Sequence, residues 1–297
     1  MIQEINSEQL NLNPNRLYNN PTGWFKDGDT YSPIPAYSKV LDSGIYFIQI
    51  NEGALAFTKT ELSTDEIFEI GNTISDKVLI SLDNFWAKES EIKKGGITYK
   101  RGFLFHGKPG CGKTTLLNQI SQHLIQRDGI VIVGSEPNLT IEALTQLRRI
   151  EPTRKLAVLW EDFEGFLNGF GEENLLSLFD GQRQVDNVIH ICTTNYLDDI
   201  PHRFKSRPSR IDEVIEIEPP TEEARLIFLA KLFKKYDKEF FDGDYWLKDT
   251  EGMPFAHIKE LFISVKILDY DYKTTLERLK SNINQNDSDG SGVFGKD

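Results

Sequence analysis

Short apolar runs alternate with helix-like stretches through the middle of the chain. Between the runs, apolar residues recur at three- and four-residue spacing, as in TIEALTQLRRI and ENLLSLFDG. In chain order, the apolar runs are GFLFH, GIVIV, LAVLW, VIHICT and EVIEIE. Short, nearly continuous apolar strands separated by helices are typical of a parallel sheet that helices cover on both faces. The pattern therefore predicts an α/β core over residues 63–219.

The pattern changes on both sides of this core. Upstream, GIYFIQI and ALAFTKT flank a Gly-containing turn at residues 51–53, which predicts a β-hairpin within a small N-terminal module over residues 1–62. Downstream of Pro220, stretches such as TEEARLIFLAKLFKKY carry apolar stripes and predict a helical subdomain over residues 220–283. The Gly-, Ser- and Asp-rich end, residues 284–297, is expected to be a disordered tail.

Charge and composition exclude several classes of protein. The formal net charge of -12, from 46 acidic and 34 basic residues, disfavours a protein that coats nucleic acid, since phosphate binding needs a basic surface. No apolar run reaches the roughly 18 residues of a membrane span, and the start of the chain lacks a signal-like pattern. Two cysteines and five histidines without ligand spacing favour neither a disulfide framework nor a zinc site. We expect a soluble, cytoplasmic protein, in the host cytoplasm if it is viral.

The segment GKPGCGKT fits the phosphate-loop (Walker A) pattern of Gly, four residues, Gly, Lys and Thr, and it lies between a predicted strand and a predicted helix. Glycines let backbone N–H groups curl around a phosphate, and the helix N-terminus adds its dipole. We expect Lys113 to reach the β- and γ-phosphates and Thr114 to ligate Mg²⁺. The residues predicted to contact the nucleotide are Gly107, Pro109, Gly110, Cys111, Gly112, Lys113, Thr114 and Thr115. The alternative, a Gly-rich turn with a surface lysine, leaves the strand and helix context unexplained.

The strand LAVLW runs directly into the carboxylates Glu161, Asp162 and Glu164. A phosphate loop needs further Mg²⁺ coordination from a neighbouring strand, and this strand end is the best candidate in the sequence. We therefore expect Glu161 and Asp162 to face the metal and the attacking water. The alternative is a pair of surface acids at a strand end.

Four segments, GKPGCGKT, LAVLWEDFE, ICTTN and RFKSRPSRID, stand in the order found in AAA+ ATPases, and residues 66–280 resemble the AAA clade of that family. The family's second segment usually ends Asp-Glu. Here Glu161 precedes Asp162, an order that resembles the mitochondrial ATPases that translocate folded Rieske iron–sulfur protein and related bacterial and phage ATPases. The resemblance implies a P-loop NTPase fold with a C-terminal helical lid, ATP as the nucleotide and Mg²⁺ as the metal.

The resemblance also implies a role for each matching residue in the nucleotide site. Glu161 takes the metal side together with Thr114, Lys113 binds phosphate, and Asp162 activates the attacking water. Asn195, which ends VIHICTTN, matches the sensor residue that orients that water. The alternative for Asn195 is an Asn that caps a strand end.

The segment SRPSRID matches the family's Arg-Pro-Gly-Arg signature, with Ser209 in place of Gly. By this resemblance, Arg207 and Arg210 project from one subunit into the nucleotide site of its neighbour, where a guanidinium stabilises charge on the transferred phosphoryl group. This arrangement implies a ring-shaped homo-oligomer. Taken as isolated residues, the two would be solvated arginines.

The sequence departs from the family in the loop after the second strand of the core. Family members that thread extended chains carry an aromatic residue there, whereas residues 134–144 contain none. A second possible axial loop, EGFLNGFGEEN, contains Phe166 and Phe170. The alternative is that both phenylalanines pack in the core.

These features favour a Mg²⁺-dependent ATPase that forms a ring and remodels or translocates a macromolecular partner, expected to be a protein. The alternative is a structural protein in which ATP binding drives assembly and hydrolysis is slow. DNA-directed motors share the fold, but the acidic net charge argues against nucleic acid as a partner. Small-molecule kinases fit the arginine segment and the helical lid poorly.

Overall fold

The computed structural model describes residues 23–27, 30–34, 40–51, 53–61, 73–180, 184–207, 210–238 and 243–289. Pro208, Ser209 and residues 290–297 of the predicted tail lie outside this part of the chain. The predicted turn at residues 51–53 is described except for Glu52.

Seven of the described strands form one sheet in the order β4-β3-β6-β7-β8-β5-β9. They are β3 (Gly44–Asn51), β4 (Ala54–Thr60), β5 (Lys100–His106), β6 (Ile130–Val133), β7 (Leu156–Trp160), β8 (Val188–Thr194) and β9 (Glu213–Glu216). Every pair is parallel except the hairpin pair of β3 and β4. Two further strands, β1 (Gly23–Asp27) and β2 (Thr30–Ile34), form a separate antiparallel pair. The parallel sheet confirms the predicted α/β fold.

Helices cover both faces of this sheet. They are α1 (Thr73–Ala87), α2 (Glu89–Lys94), α3 (Lys113–Ile125), α4 (Pro137–Ile150), α5 (Phe163–Phe170), α6 (Glu172–Asp180) and α7 (His202–Lys205). Strand β7 is buried along its whole length, and its side chains alternate between two apolar clusters. Val158 and Trp160 belong to the cluster that includes α4, α5 and α6, whereas Ala157 and Leu159 belong to the cluster that includes α1 and α3.

The hairpin of β3 and β4 does not form a separate N-terminal module, so the predicted boundary at residue 62 is wrong for these strands. Strand β3 pairs in parallel with β6, from Gly44 opposite Ile130 to Phe47 opposite Val133. Ile48 is 6% exposed and belongs to the same apolar cluster as Trp160. The periodicity of a strand predicts its faces but not its partner, which is why the pairing of β3 with β6 does not follow from the sequence.

The C-terminal helices are α8 (Glu222–Lys235), α9 (Gly243–Asp249), α10 (Phe255–Phe262) and α11 (Tyr272–Asp289). They enclose an apolar cluster of their own around Phe233, Trp246 and Phe262, all of which are fully buried. Helix α11 runs past the predicted lid boundary at residue 283, so residues 284–289 are helical rather than a disordered tail. Once a helix has formed, each added residue gains a backbone hydrogen bond even where the composition is polar.

Candidate nucleotide-binding site

The phosphate loop joins β5 to α3. Gly107 packs against β9 so closely that a Cβ there would lie 2.3 Å from the Ile217 carbonyl oxygen. Gly110 has a φ of 79°, in the left-handed region that favours glycine. The loop therefore places its backbone N–H groups at the N-terminus of α3, where the helix dipole favours an anion.

Lys113, the first residue of α3, is 8% exposed. Its Nζ donates hydrogen bonds to the carbonyl oxygens of Gly107 at 2.6 Å and Lys108 at 3.1 Å. Burial lowers the pKa of Lys113, while nearby groups, Asp162 among them, oppose that shift. A buried ammonium held against the loop backbone is suited to bind a phosphate, and its contact with the nucleotide stays a prediction.

The two residues predicted to hold the metal lie in contact. The Thr114 hydroxyl, on α3, donates a 2.8 Å hydrogen bond to Glu161 Oε1 at the end of β7. A hydroxyl and a carboxylate are oxygen ligands of the type that Mg²⁺ takes alongside water and substrate phosphate. The donor set therefore fits Mg²⁺, which Thr114 and Glu161 would hold.

Asp162 follows Glu161 at the junction of β7 and α5. Its backbone N–H donates to the Thr193 hydroxyl at 3.2 Å, and its Oδ1 accepts a 3.3 Å hydrogen bond from the Asn195 amide. Thr193 and Asn195 lie at the end of β8, the strand next to β7. The fold thus brings the predicted water-activating acid and the predicted sensor residue together.

Thr193 has a place in this site that the sequence reasoning missed, although it is one of the two threonines in ICTTN. The sequence pattern assigns no role to Glu164. Its Oε2 is excluded from solvent and has no hydrogen-bond partner among the described residues. Glu164 acts at a distance on Lys113, whose pKa it helps to raise against the effect of burial. Of the three acids in EDFE, Glu161 therefore contacts Thr114, Asp162 contacts Asn195, and Glu164 acts electrostatically on Lys113.

The arginine segment lies apart from these contacts, after α7. Arg207 is exposed, and its guanidinium has no partner in the described part of the chain. Arg210 does not project as expected: its Nε donates to Asp180 Oδ2 at 2.8 Å and its Nη1 to the Arg203 carbonyl oxygen at 2.7 Å. The two arginines share a surface cavity of about 410 Å³, to which α6 also contributes residues. We call this space the arginine cavity; its lining consists of Glu173, Leu176, Ser177, Asp180, Arg203, Arg207 and Arg210.

The segment EGFLNGFGEEN forms helix α5 and the start of α6 rather than a loop. Phe166 packs edge-on against Trp160, with ring centroids 5.1 Å apart, as the core alternative expects. Phe170 stacks on Phe166 but remains 37% exposed, so it is not a core residue.

The C-terminal helices touch the phosphate loop. The Ala256 N–H, at the start of α10, donates to the Gly110 carbonyl oxygen at 3.3 Å. A Cβ on Gly110 would lie 2.8 Å from the Ala256 Cβ. The helical subdomain therefore lies in contact with the phosphate loop, and its role as a lid stays a prediction.

A strand, a glycine loop with a buried lysine, and an acid at the end of a nearby parallel strand together define a P-loop nucleotide-binding domain. Residues 103–219 match the family model described as ATPase family associated with various cellular activities (AAA). Residues 103–219 of the chain are therefore similar to an AAA ATPase domain.

Curated relatives carry the same kind of domain. The chain is 24% identical to the vesicle-fusing ATPase of Dictyostelium discoideum over 202 residues, which cover 59% of this chain and 27% of that protein. It is 29% identical to the ATPase family gene 2 protein of Saccharomyces cerevisiae over 189 residues, 56% of this chain and 24% of that one. It is 25% identical to the human mitochondrial chaperone BCS1 over 154 residues, 47% of this chain and 36% of that one. The chain thus spans about a quarter to a third of the length of these relatives.

Among the described residues, none of the helices combines the length and the apolar character that a membrane crossing requires.

Proposed function

We propose that the chain is a Mg²⁺-dependent ATPase that assembles into a ring and uses ATP hydrolysis to remodel or translocate a protein partner. The observation that carries the proposal is the cluster of Asp162 and Asn195 beside the contact of Thr114 with Glu161. These groups meet at the carboxyl ends of neighbouring parallel strands, the edge at which α/β sheets bind ligands.

Each residue of the site has a chemical task under this proposal. Lys113 and the loop N–H groups bind the β- and γ-phosphates of ATP, while Thr114 and Glu161 would hold Mg²⁺. Mg²⁺, when bound, neutralises charge on the phosphate oxygens. Asp162, oriented by the Asn195 amide, accepts the proton of the attacking water. Its side chain is one methylene shorter than the Glu usual in the family, which favours slow turnover.

The proposal of a ring depends on the arginine segment. Arg207 is exposed and unpartnered among the described residues, which suits a guanidinium that acts in the site of a neighbouring subunit. A protein partner is supported by the relatives named as a vesicle-fusing ATPase and as a mitochondrial chaperone. The net charge of -12 disfavours nucleic acid as that partner.

Specific ATPase activity measured against protein concentration tests the proposal. Activity per subunit should rise as the ring assembles, and both Arg207→Ala and Asp162→Asn should lose hydrolysis while still binding ATP. A flat concentration profile together with full activity in Arg207→Ala would reject the ring. ATP-dependent assembly with no measurable hydrolysis at any concentration would favour the structural alternative.

A further inference from the structure

Lys100, the first residue of β5, carries an ammonium group that is excluded from solvent and has no hydrogen-bond acceptor among the described residues. A buried charge without a partner is costly, so such a group is rare unless it has a use. Burial lowers the pKa of Lys100, and Asp180 and Asp212 oppose that effect by raising it. The Lys100 Nζ is therefore buried, and the negative charges of Asp180 and Asp212 favour its protonated form.

The backbone places Lys100 beside the segment that carries the second arginine. Alternate residues of a strand share one face, so Lys100 and Gly102 lie on the same side of β5. On that side, a Cβ on Gly102 would lie 2.0 Å from the Arg210 carbonyl oxygen. The Gly102 N–H donates a 2.7 Å hydrogen bond to the Asp212 carboxylate, which fixes the chain just after Arg210 against the strand.

Asp180 has a cation bound to it and a second one nearby. Its Oδ2 accepts the 2.8 Å hydrogen bond of Arg210, and the side chains of Arg210 and Asp180 are only 10% and 28% exposed. Lys100 lies close enough for the Asp180 charge to raise its pKa. Asp180 and Arg210 also line the arginine cavity, whose 410 Å³ leave room for the guanidinium to turn away.

We propose that Lys100 is a positioning residue that replaces Arg210 on Asp180 when Arg210 turns toward the nucleotide of a neighbouring subunit. The inference rests on the proposed function, because it gives Arg210 a partner outside its own chain. If Arg210 left alone, it would strand a partly buried carboxylate without its counter-ion. When the Arg210 side chain moves away, the Lys100 ammonium takes its place on Asp180. Asp180 therefore keeps a counter-ion, and no charge in that subunit is left unpaired.

The test uses the full chain at a protein concentration that saturates assembly. Lys100→Met keeps a side chain of similar length without charge, and it should lower kcat at least about tenfold, toward the value of Arg210→Ala. The KM for ATP should stay unchanged, because the phosphate loop is untouched. The matched control is Lys77→Met, which removes an exposed lysine from α1 and should leave kcat at the wild-type value.

A second variant separates positioning from a merely structural effect. Asp180→Asn carries no charge that needs a counter-ion and holds Arg210 weakly, so the double variant Lys100→Met with Asp180→Asn should regain most of the lost kcat. By itself, Asp180→Asn should keep kcat near or above the wild-type value. If Lys100 were only a structural contact, adding Asp180→Asn to Lys100→Met would lower kcat further instead of restoring it.

The outcomes distinguish this inference from the proposed function. Wild-type kcat in Lys100→Met, with Arg210→Ala slow, would overturn the exchange at Asp180 and leave the ring ATPase standing. Failure of Asp180→Asn to restore the double variant would also overturn it. Full activity in both Arg207→Ala and Arg210→Ala would reject the trans-acting arginines themselves.

Discussion

Asp162 at the end of β7 has a left-handed backbone, with φ 51° and ψ 60°. Among residues other than glycine, Asp and Asn adopt this conformation most readily, because their short polar side chains tolerate it. Glu161, one position earlier, makes the contact with Thr114. The order Glu-Asp, reversed from the family's usual order, therefore matches the backbone that this strand end adopts.

Two substitutions at Asp162 should separate the backbone requirement from the chemistry. Asp162→Asn keeps a side chain that tolerates the left-handed region, so its free energy of unfolding should stay within about 0.5 kcal/mol of wild type, although hydrolysis is lost. Asp162→Glu should lower that free energy by about 1 kcal/mol. Chemical denaturation of both variants checks this, and equal stability of the two would contradict the backbone argument.

His190 on β8 is a buried histidine that is hydrogen-bonded within the core. It lies opposite Gly102 of β5, and its Nδ1 accepts a 3.3 Å hydrogen bond from the Trp160 indole N–H. Burial, together with a smaller effect of the Lys100 charge, lowers the pKa of His190 to about 3. The histidine therefore stays neutral in the folded chain well below neutral pH.

This pKa makes the stability of the domain sensitive to acid. As the pH falls below 6.5, the ordinary pKa of histidine, His190 binds a proton in the unfolded chain. In the folded chain it binds that proton only near pH 3, so stability falls with pH. The contribution of neutral His190 to the free energy of unfolding is complete above pH 6.5 and is lost toward pH 3. Between these values the free energy of unfolding changes by on the order of 1.4 kcal/mol per pH unit.

His190→Gln retains an acceptor for the Trp160 indole and should remove this part of the pH dependence. Denaturant unfolding at a series of pH values between 3 and 6.5 measures the difference in slope between wild type and variant. Identical slopes would contradict the assignment of a depressed pKa to His190.

At the scale of elements, the hairpin of β3 and β4 is one edge of the seven-stranded sheet. Ile48→Ala, at a residue that is 6% exposed, should therefore destabilise the whole domain by about 2–5 kcal/mol. Phe47→Ala is the matched control on the same strand: its side chain is 48% exposed, and the change should be within about 0.5 kcal/mol. Unfolding followed by a nucleotide-binding probe measures both. An unchanged midpoint in Ile48→Ala would indicate a hairpin that folds independently of the core.

The sequence predicts the core elements well because their strands are buried on both faces and read as apolar runs. The meeting of Asp162 with Asn195 also follows from the sequence, since both end strands of one parallel sheet. The partner of β3 does not follow, because alternation in a strand does not encode its neighbour. The electrostatic effect of Asp180 on Lys100 arises only when residues 80 positions apart fold together, and no local pattern marks it.

At the scale of the whole molecule, the described structure has two kinds of charged site. The phosphate loop holds a buried Lys113 beside carboxylates at the ends of strands, and α10 of the lid contacts the loop at Gly110. The arginine cavity has Arg207 exposed and Arg210 held by Asp180. Each subunit thus has the phosphate-loop site in one place and the arginines in another. This separation suits a head-to-tail ring, in which the arginines of one subunit complete the phosphate-loop site of the next.

A mixing experiment tests this central claim most directly. Arg207→Ala retains an intact phosphate loop and Asp162, whereas Asp162→Asn retains Arg207, and each variant by itself should be inactive. In an equimolar mixture that assembles at random, about one quarter of the interfaces join an intact loop to an intact arginine, so activity should return to about one quarter of wild type per subunit. Activity that stays at the level of the separate variants, with mixed rings confirmed by mass, would contradict an arginine that acts between subunits.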